Sequence, residues 1–327
     1  MDAGHSAVID GVRLHWAECG TTTDRNPLVL LHGLNDSHLT WKRLAPLLAG
    51  NRRVLMPDAP GSGLSERPDA SYELAWHAHV IARWLETLGL SEVDIIGHSF
   101  GGGVAQMMLL EPKLTIRRLG LVASGGIGPR VAFWLRLAAL PGVVEHFGQP
   151  FMAVVTRFAL RAAGAGIPEQ DIEALSMMNA ELGTARAFAR TVQDVISWRG
   201  QSRHFLHRAH EIAKLPAITL FWGDNDLITP IEDALAFARK VEGVGFERFA
   251  GGGHYLHHDN TAELALKLCE FLDTPQGRLV QLPVSAAKLA LAARARQTLA
   301  DLLGTWVPAR ETRMPGLPGQ CAENAAR

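Results

Sequence analysis

The chain has 327 residues, 47% of them hydrophobic, with 32 Lys and Arg against 33 Asp and Glu for a net charge of -1. That length suits a catalytic domain carrying an insertion rather than one small core, and the balanced charge leaves no electrostatic footprint for nucleic acid. The cysteines, Cys19, Cys269 and Cys321, are odd in number and far apart, which argues against a disulfide framework and for a reducing, cytoplasmic compartment. The first residues form neither a basic nor an apolar signal region, and no run reaches the ~18 apolar residues of a transmembrane helix.

In chain order, the apolar runs at 28–31 and 53–56 read as buried strands. His32-Gly33-Leu34 follows the first and Asp58-Ala59-Pro60-Gly61-Ser62-Gly63-Leu64-Ser65 the second. The latter is rich in Gly and Pro and reads as a scaffold turn. A third apolar run at 93–96 leads into Gly97-His98-Ser99-Phe100-Gly101, and 102–110 continues as an apolar helix. Strand, sharp turn and helix form a nucleophile elbow, which holds a serine hydroxyl clear of the backbone in a strained conformation.

A serine hydroxyl is a poor nucleophile at neutral pH and needs a base, itself oriented by an acid. Candidates lie downstream. The run at 217–222 reads as a strand leaving through Gly223-Asp224-Asn225-Asp226 before Pro230 opens a helix, and a short strand at 245–249 leaves through Gly251-Gly252-Gly253-His254. Both loops follow strand ends, where open parallel sheets gather their reactive groups. His257 and His258 fall where a helix begins. His204, His207 and His210 lack the accompanying carboxylate or cysteine set of a metal site and read as surface groups on a helix.

Together these motifs resemble the α/β-hydrolase fold family, from about residue 7 to about residue 273. The resemblance implies a mostly parallel, doubly wound α/β sheet with Ser99 as nucleophile, His254 as general base and acid, and an aspartate of the 224–226 loop as the orienting carboxylate. Family spacing favours Asp226 over Asp224, which is left as a turn or capping residue. The oxyanion hole implied is the N–H groups of Leu34 and Phe100, with His32 a structural support. No metal or other cofactor is implied.

The interval between the strand at 119–123 and the one at 217 is about 90 residues, far more than a crossover helix needs. Helical patterns at 131–140, 151–163, 168–179 and 185–198 fill it. In the resembling family this is a cap, placed here at 127–206, with the core at 1–126 and 207–273. Its large apolar residues are expected mainly to pack cap on core, with Trp134 and Phe158 reaching the substrate. Arg130, Arg136, Arg157 and Arg161 are expected on solvated faces. Residues 274–327 form a C-terminal extension, helical over 283–303 and then loose, which packs back on the core or makes a dimer or interfacial contact. The expected activity is hydrolysis of a small-molecule ester with an apolar acyl or alkyl part. The alternatives are cleavage of a carbon–carbon bond in a ring-cleavage diketone, a thioesterase or lactonase activity, or a non-catalytic ligand receptor.

Overall fold

A computed structural model describes residues 4–163, 166–208, 211–212 and 215–274. Residues 275–327 of the expected C-terminal extension, Cys321 among them, and His210 lie outside the described residues.

Eight strands form one sheet in the order β1-β2-β4-β3-β5-β6-β9-β10. From β4 to β10 all neighbours are parallel: β4 (Val54–Pro57), β3 (Leu28–Leu31), β5 (Glu92–His98), β6 (Thr115–Val122), β9 (Ala217–Gly223) and β10 (Gly245–Phe249). Side chains alternate across the central strands. Val29 and Leu31 enter the core on one face and Leu28 and Leu30 the core on the other; Leu220 and Trp222 likewise oppose Phe221. A strand buried on both faces must be apolar throughout, which is why these runs were legible without alternation.

The first face is covered by α2 (Leu74–Thr87), α3 (Phe100–Met108) and α10 (Ile231–Lys240), the second by α1 (Ala45–Leu48) and α12 (Thr261–Asp273). Each fully buried Leu, such as Leu85 on α2 or Leu268 on α12, contributes about 1.5–3 kcal/mol.

The sheet edge formed by β1 (His5–Ile9) and β2 (Val12–Cys19) is antiparallel, with β2 also antiparallel to β4. Asp10 and Gly11, both at positive φ (46° and 86°), make the two-residue turn between them. An Asp-Gly pair suits that turn because its twist matches the flanking strands.

Between β6 and β9 lie α4 (Phe133–Ala138), α5 (Val143–Phe147), α6 (Met152–Ala162), α7 (Glu169–Ala180), α8 (Thr184–Val195), the two-stranded β7 (Ile196–Ser197) and β8 (Gly200–Gln201), and α9 (Phe205–Arg208). The helix expected to run to residue 198 stops at Val195. Residues 196–201 turn back as a hairpin, for which Gly200 supplies a φ of 118° that other residues resist. The apolar residues of this segment do not all pack on the core as expected: Phe133 is 59% and Phe147 74% exposed. Apolar side chains occur around more than one side of these short helices, and only one side of each can be buried.

Candidate active site

Ser99 sits between β5 and α3 with φ 51° and ψ -117°. Its backbone is fastened on both sides: the Ser99 N–H donates to Val122 O at 3.0 Å, and Ser99 O accepts from Gly102 N–H at 3.0 Å and Gly125 N–H at 2.9 Å. The flanking glycines have a packing reason. A Cβ on Gly97 would lie 2.6 Å from Gly101 O, and one on Gly101 would lie 2.3 Å from Leu31 O. The elbow is therefore wedged against the end of β3, and strain at one non-glycine residue is sustained by its surroundings.

Asp226 follows β9 and His254 follows β10, on adjacent parallel strands. His254 Nδ1 lies 2.9 Å from Asp226 Oδ2 and 3.1 Å from Oδ1, and both side chains are buried. Asp226 is itself held by three donors: Ile228 N–H at 2.9 Å and Thr229 N–H at 2.8 Å to Oδ1, and the Thr229 hydroxyl at 2.8 Å to Oδ2. Burial pushes the carboxyl pKa up, but the His254 charge, its hydrogen bond and the N–H donors outweigh that and hold it below its ordinary value. Asp226 is thus an anion at neutral pH. Its pull favours the tautomer in which His254 carries its proton on Nδ1, leaving Nε2 as the basic nitrogen.

Asp224 lies apart from this pair. It is ion-paired with Arg248 of β10, so its side chain fixes the turn between neighbouring strand ends. His32 is structural: its Nδ1 donates to Gly33 O at 2.8 Å and its Nε2 accepts the Ala59 N–H at 2.9 Å, which ties the loop after β3 to the turn after β4. Asp58 anchors that turn, accepting hydrogen bonds from His15 and His38 rings and the Leu64 N–H.

A cavity of about 410 Å³ opens over Ser99 and His254, and Leu34, Phe100 and Trp134 also border it. Phe158 does not border it and is 74% exposed, because it falls on the outer side of α6, whereas the buried Met152, Thr156 and Leu160 of that helix border the cavity. His207 is exposed and His204 half-buried, and both border the cavity, with ring centroids 5.0 Å apart. Thr229 was missed as a site residue. Its signal in the sequence is an Asp followed three positions later by Thr, a spacing that lets hydroxyl and N–H both reach the carboxylate.

A family model described as the alpha/beta hydrolase fold matches residues 26–261. The chain belongs to that family. It is 30% identical over 259 residues to an uncharacterized protein of Mycobacterium tuberculosis, covering 76% of each chain. It is 34% identical over 131 residues to a 2-hydroxymuconate semialdehyde hydrolase of Pseudomonas sp., which covers 38% of this chain and 45% of the relative. Among solved structures it is similar to Cfl2 from Burkholderia cenocepacia, with a TM-score of 0.71, 24% identity, and coverage of 82% of this chain and 95% of the other.

Proposed function

We propose that the chain is a serine hydrolase that cleaves carboxylic esters with an apolar acyl or alkyl part. The observation that carries this reading is the Asp226–His254 pair at 2.9 Å, whose imidazole borders the same apolar cavity as the strained Ser99. In it, the Ser99 hydroxyl attacks the acyl carbon as His254 Nε2 takes its proton, and the N–H groups of Leu34 and Phe100 receive the oxyanion. His254 then protonates the leaving alkoxide, and a water deprotonated by the same imidazole releases the acid. The residues at 127–206 act as a cap that supplies the apolar wall. No cofactor takes part in these steps.

Arginine pairing supports an apolar substrate over an anionic one. Arg203 and Arg208 border the cavity, but Arg203 pairs with Asp194 and Arg208 with Glu211. On the insertion, Arg130, Arg157 and Arg161 pair with Asp233, Glu173 and Glu169. A cation already matched by a carboxylate offers little to a substrate carboxylate. The second reading, carbon–carbon hydrolysis of a ring-cleavage diketone, is favoured by the likeness to the 2-hydroxymuconate semialdehyde hydrolase.

The test is a panel of aryl esters of graded acyl length together with a vinylogous diketone, run on the wild type and on Ser99→Ala. Ester turnover by the wild type, loss of it in folded Ser99→Ala, and phosphonate labelling of Ser99 alone are expected. Turnover retained by Ser99→Ala overturns the nucleophile, and activity on the diketone alone overturns the ester.

A further inference from the structure

Beneath the elbow lies a polar cluster that the proposed reaction does not use. Asp36 follows the Leu34 loop, His98 ends β5, and His257 sits on α11 (Leu256–Asp259), three residues after His254. They are 6%, 1% and 0% exposed. One ligating atom from each lies within 4.8 Å of the other two. The atoms these side chains leave unpartnered among the described residues are Asp36 Oδ2, His98 Nδ1 and His257 Nδ1.

The remaining atoms are engaged, and those bonds fix the chemistry of the free ones. His98 Nε2 lies 3.0 Å from His254 O; a carbonyl only accepts, so the His98 proton is on Nε2 and Nδ1 is a lone pair. His257 Nε2 lies 2.7 Å from Thr40 Oγ1, which is also 3.2 Å from His258 Nε2. With His257 Nε2 donating to Thr40 Oγ1, its Nδ1 offers a second lone pair to a ligand. Asp36 Oδ1 accepts the Ser37 N–H at 2.8 Å, Oδ2 is left without a partner among the described residues, and burial pushes the carboxyl pKa above its ordinary value. Burial, then the neighbouring imidazoles, hold both His98 and His257 in the neutral form that ligates metals.

Three buried side chains, each with an unpartnered polar atom and gathered this closely, call for a common partner. One cation serves two imidazole nitrogens and a carboxylate oxygen together. Atoms no more than 4.8 Å apart lie, by triangle geometry (4.8 Å divided by √3), within about 2.8 Å of a common point, and contraction of about 0.7 Å each reaches zinc–nitrogen and zinc–oxygen distances. Asp36 and His98 border the large cavity, and Asp36 also borders a cavity of about 20 Å³ shared with Thr40, Tyr255 and His258, room for one water as a fourth ligand. Among the described residues the other cluster of similar composition, His15, His38 and Asp58, is closed, because both ring Nδ1 atoms already bond the Asp58 carboxylate.

We propose that Asp36, His98 and His257 form a binding site for one divalent first-row transition-metal cation, zinc being the best match to two imidazole nitrogens and a carboxylate oxygen. The ion would tie together the loop after β3, the Ser99 elbow and the His254 loop, acting as a structural clamp behind the catalytic face. It would release no proton from the imidazoles, which are already neutral, and require only that Asp36 ionise.

The test uses untagged full-length protein, stripped with chelator and titrated with Zn²⁺ by calorimetry and with Co²⁺ by visible absorption. Expected are one tight equivalent, cobalt ligand-field bands typical of low coordination number, and a metal-dependent rise in Tm. Asp36→Asn and His257→Gln should each weaken binding at least tenfold, while a double His204→Gln, His207→Gln variant keeps it. Stripped wild type that stays folded and takes up no metal at about 100 µM overturns the site, as does binding lost in the His204, His207 variant and kept in Asp36→Asn. Should His257→Gln not fold, nitrogen and oxygen ligation of Co²⁺ in the wild type, altered by Asp36→Asn, decides the same question.

Discussion

The Thr229 hydroxyl donates to Asp226 Oδ2 at 2.8 Å while the Thr229 N–H donates to Oδ1 at 2.8 Å, so one residue fixes both oxygens of the carboxylate that meets His254. Thr229 touches no reacting atom and is a positioning residue. Thr229→Val keeps the shape and the N–H but removes the hydroxyl, and should lower kcat about tenfold with little change in KM. Thr229→Ser should recover most of the loss. Steady-state kinetics on one ester checks this; full activity in Thr229→Val would mean the N–H donors suffice.

The two aspartates of the 224–226 loop should separate cleanly. Asp226→Asn presents an amide to His254 and favours the wrong tautomer, so kcat should fall about 10³–10⁴-fold in a folded protein. Asp224→Asn loses a surface ion pair with Arg248 and should leave kcat within about twofold. The reverse result would move the orienting role by two residues.

Much of this arrangement was legible in the sequence because it depends on local chemistry. Short, mostly apolar runs bounded by turn residues suit strands buried on both faces, and Gly97 and Gly101 mark where backbone crosses backbone. What was not legible depends on long-range contact. Trp134 and Phe158 look equivalent in the chain, yet only Trp134 borders the cavity, since that is decided by how the inserted helices rotate on the core. His98 and His257 gave no signal of their burial together, because they are 159 positions apart and meet only through the parallel order of β5, β9 and β10. The β1–β2 hairpin was missed although its Asp10-Gly11 turn is a local signal, as its outer strand is only partly buried and reads as polar.

Stability should fall on acidification in a way traceable to His77. This residue is buried on α2 beside Phe100 and Thr191, and burial, then the charge of His32, lowers its pKa to about 3 from the ordinary 6.5. Below pH 6.5 the unfolded chain binds a proton that the folded chain refuses, so stability is lost as pH falls from about 6.5 toward 3. At pH 5 this one residue should cost about 2 kcal/mol relative to pH 7. Urea unfolding of wild type and His77→Gln at the two pH values isolates it: the stability difference between pH 7 and 5 should be smaller by that amount in His77→Gln. Parallel curves would show that His77 protonates in the folded state.

Trp134 and Phe158 provide the test of how the inserted helices act on substrate. Trp134 is on α4 and borders the cavity while remaining 51% exposed, so it stands at the cavity mouth with one edge in water. Phe158 is on α6 with its ring in solvent. If acyl chains longer than acetyl run along this wall, Trp134→Ala removes apolar contact from the long substrates alone. Each lost methylene contact is worth about 0.8 kcal/mol, so two such contacts should shift the ratio of kcat/KM between long and short esters about tenfold. The acetyl ester should be unaffected, since its methyl group stays beside Ser99. Phe158→Ala should leave the ratio within about twofold, because deleting a solvated ring changes nothing that substrate touches. A Phe158→Ala shift as large as that of Trp134→Ala would mean that α6 turns its outer side inward when substrate binds, and that the wall of the cavity is set by the substrate rather than by the resting packing of the helices.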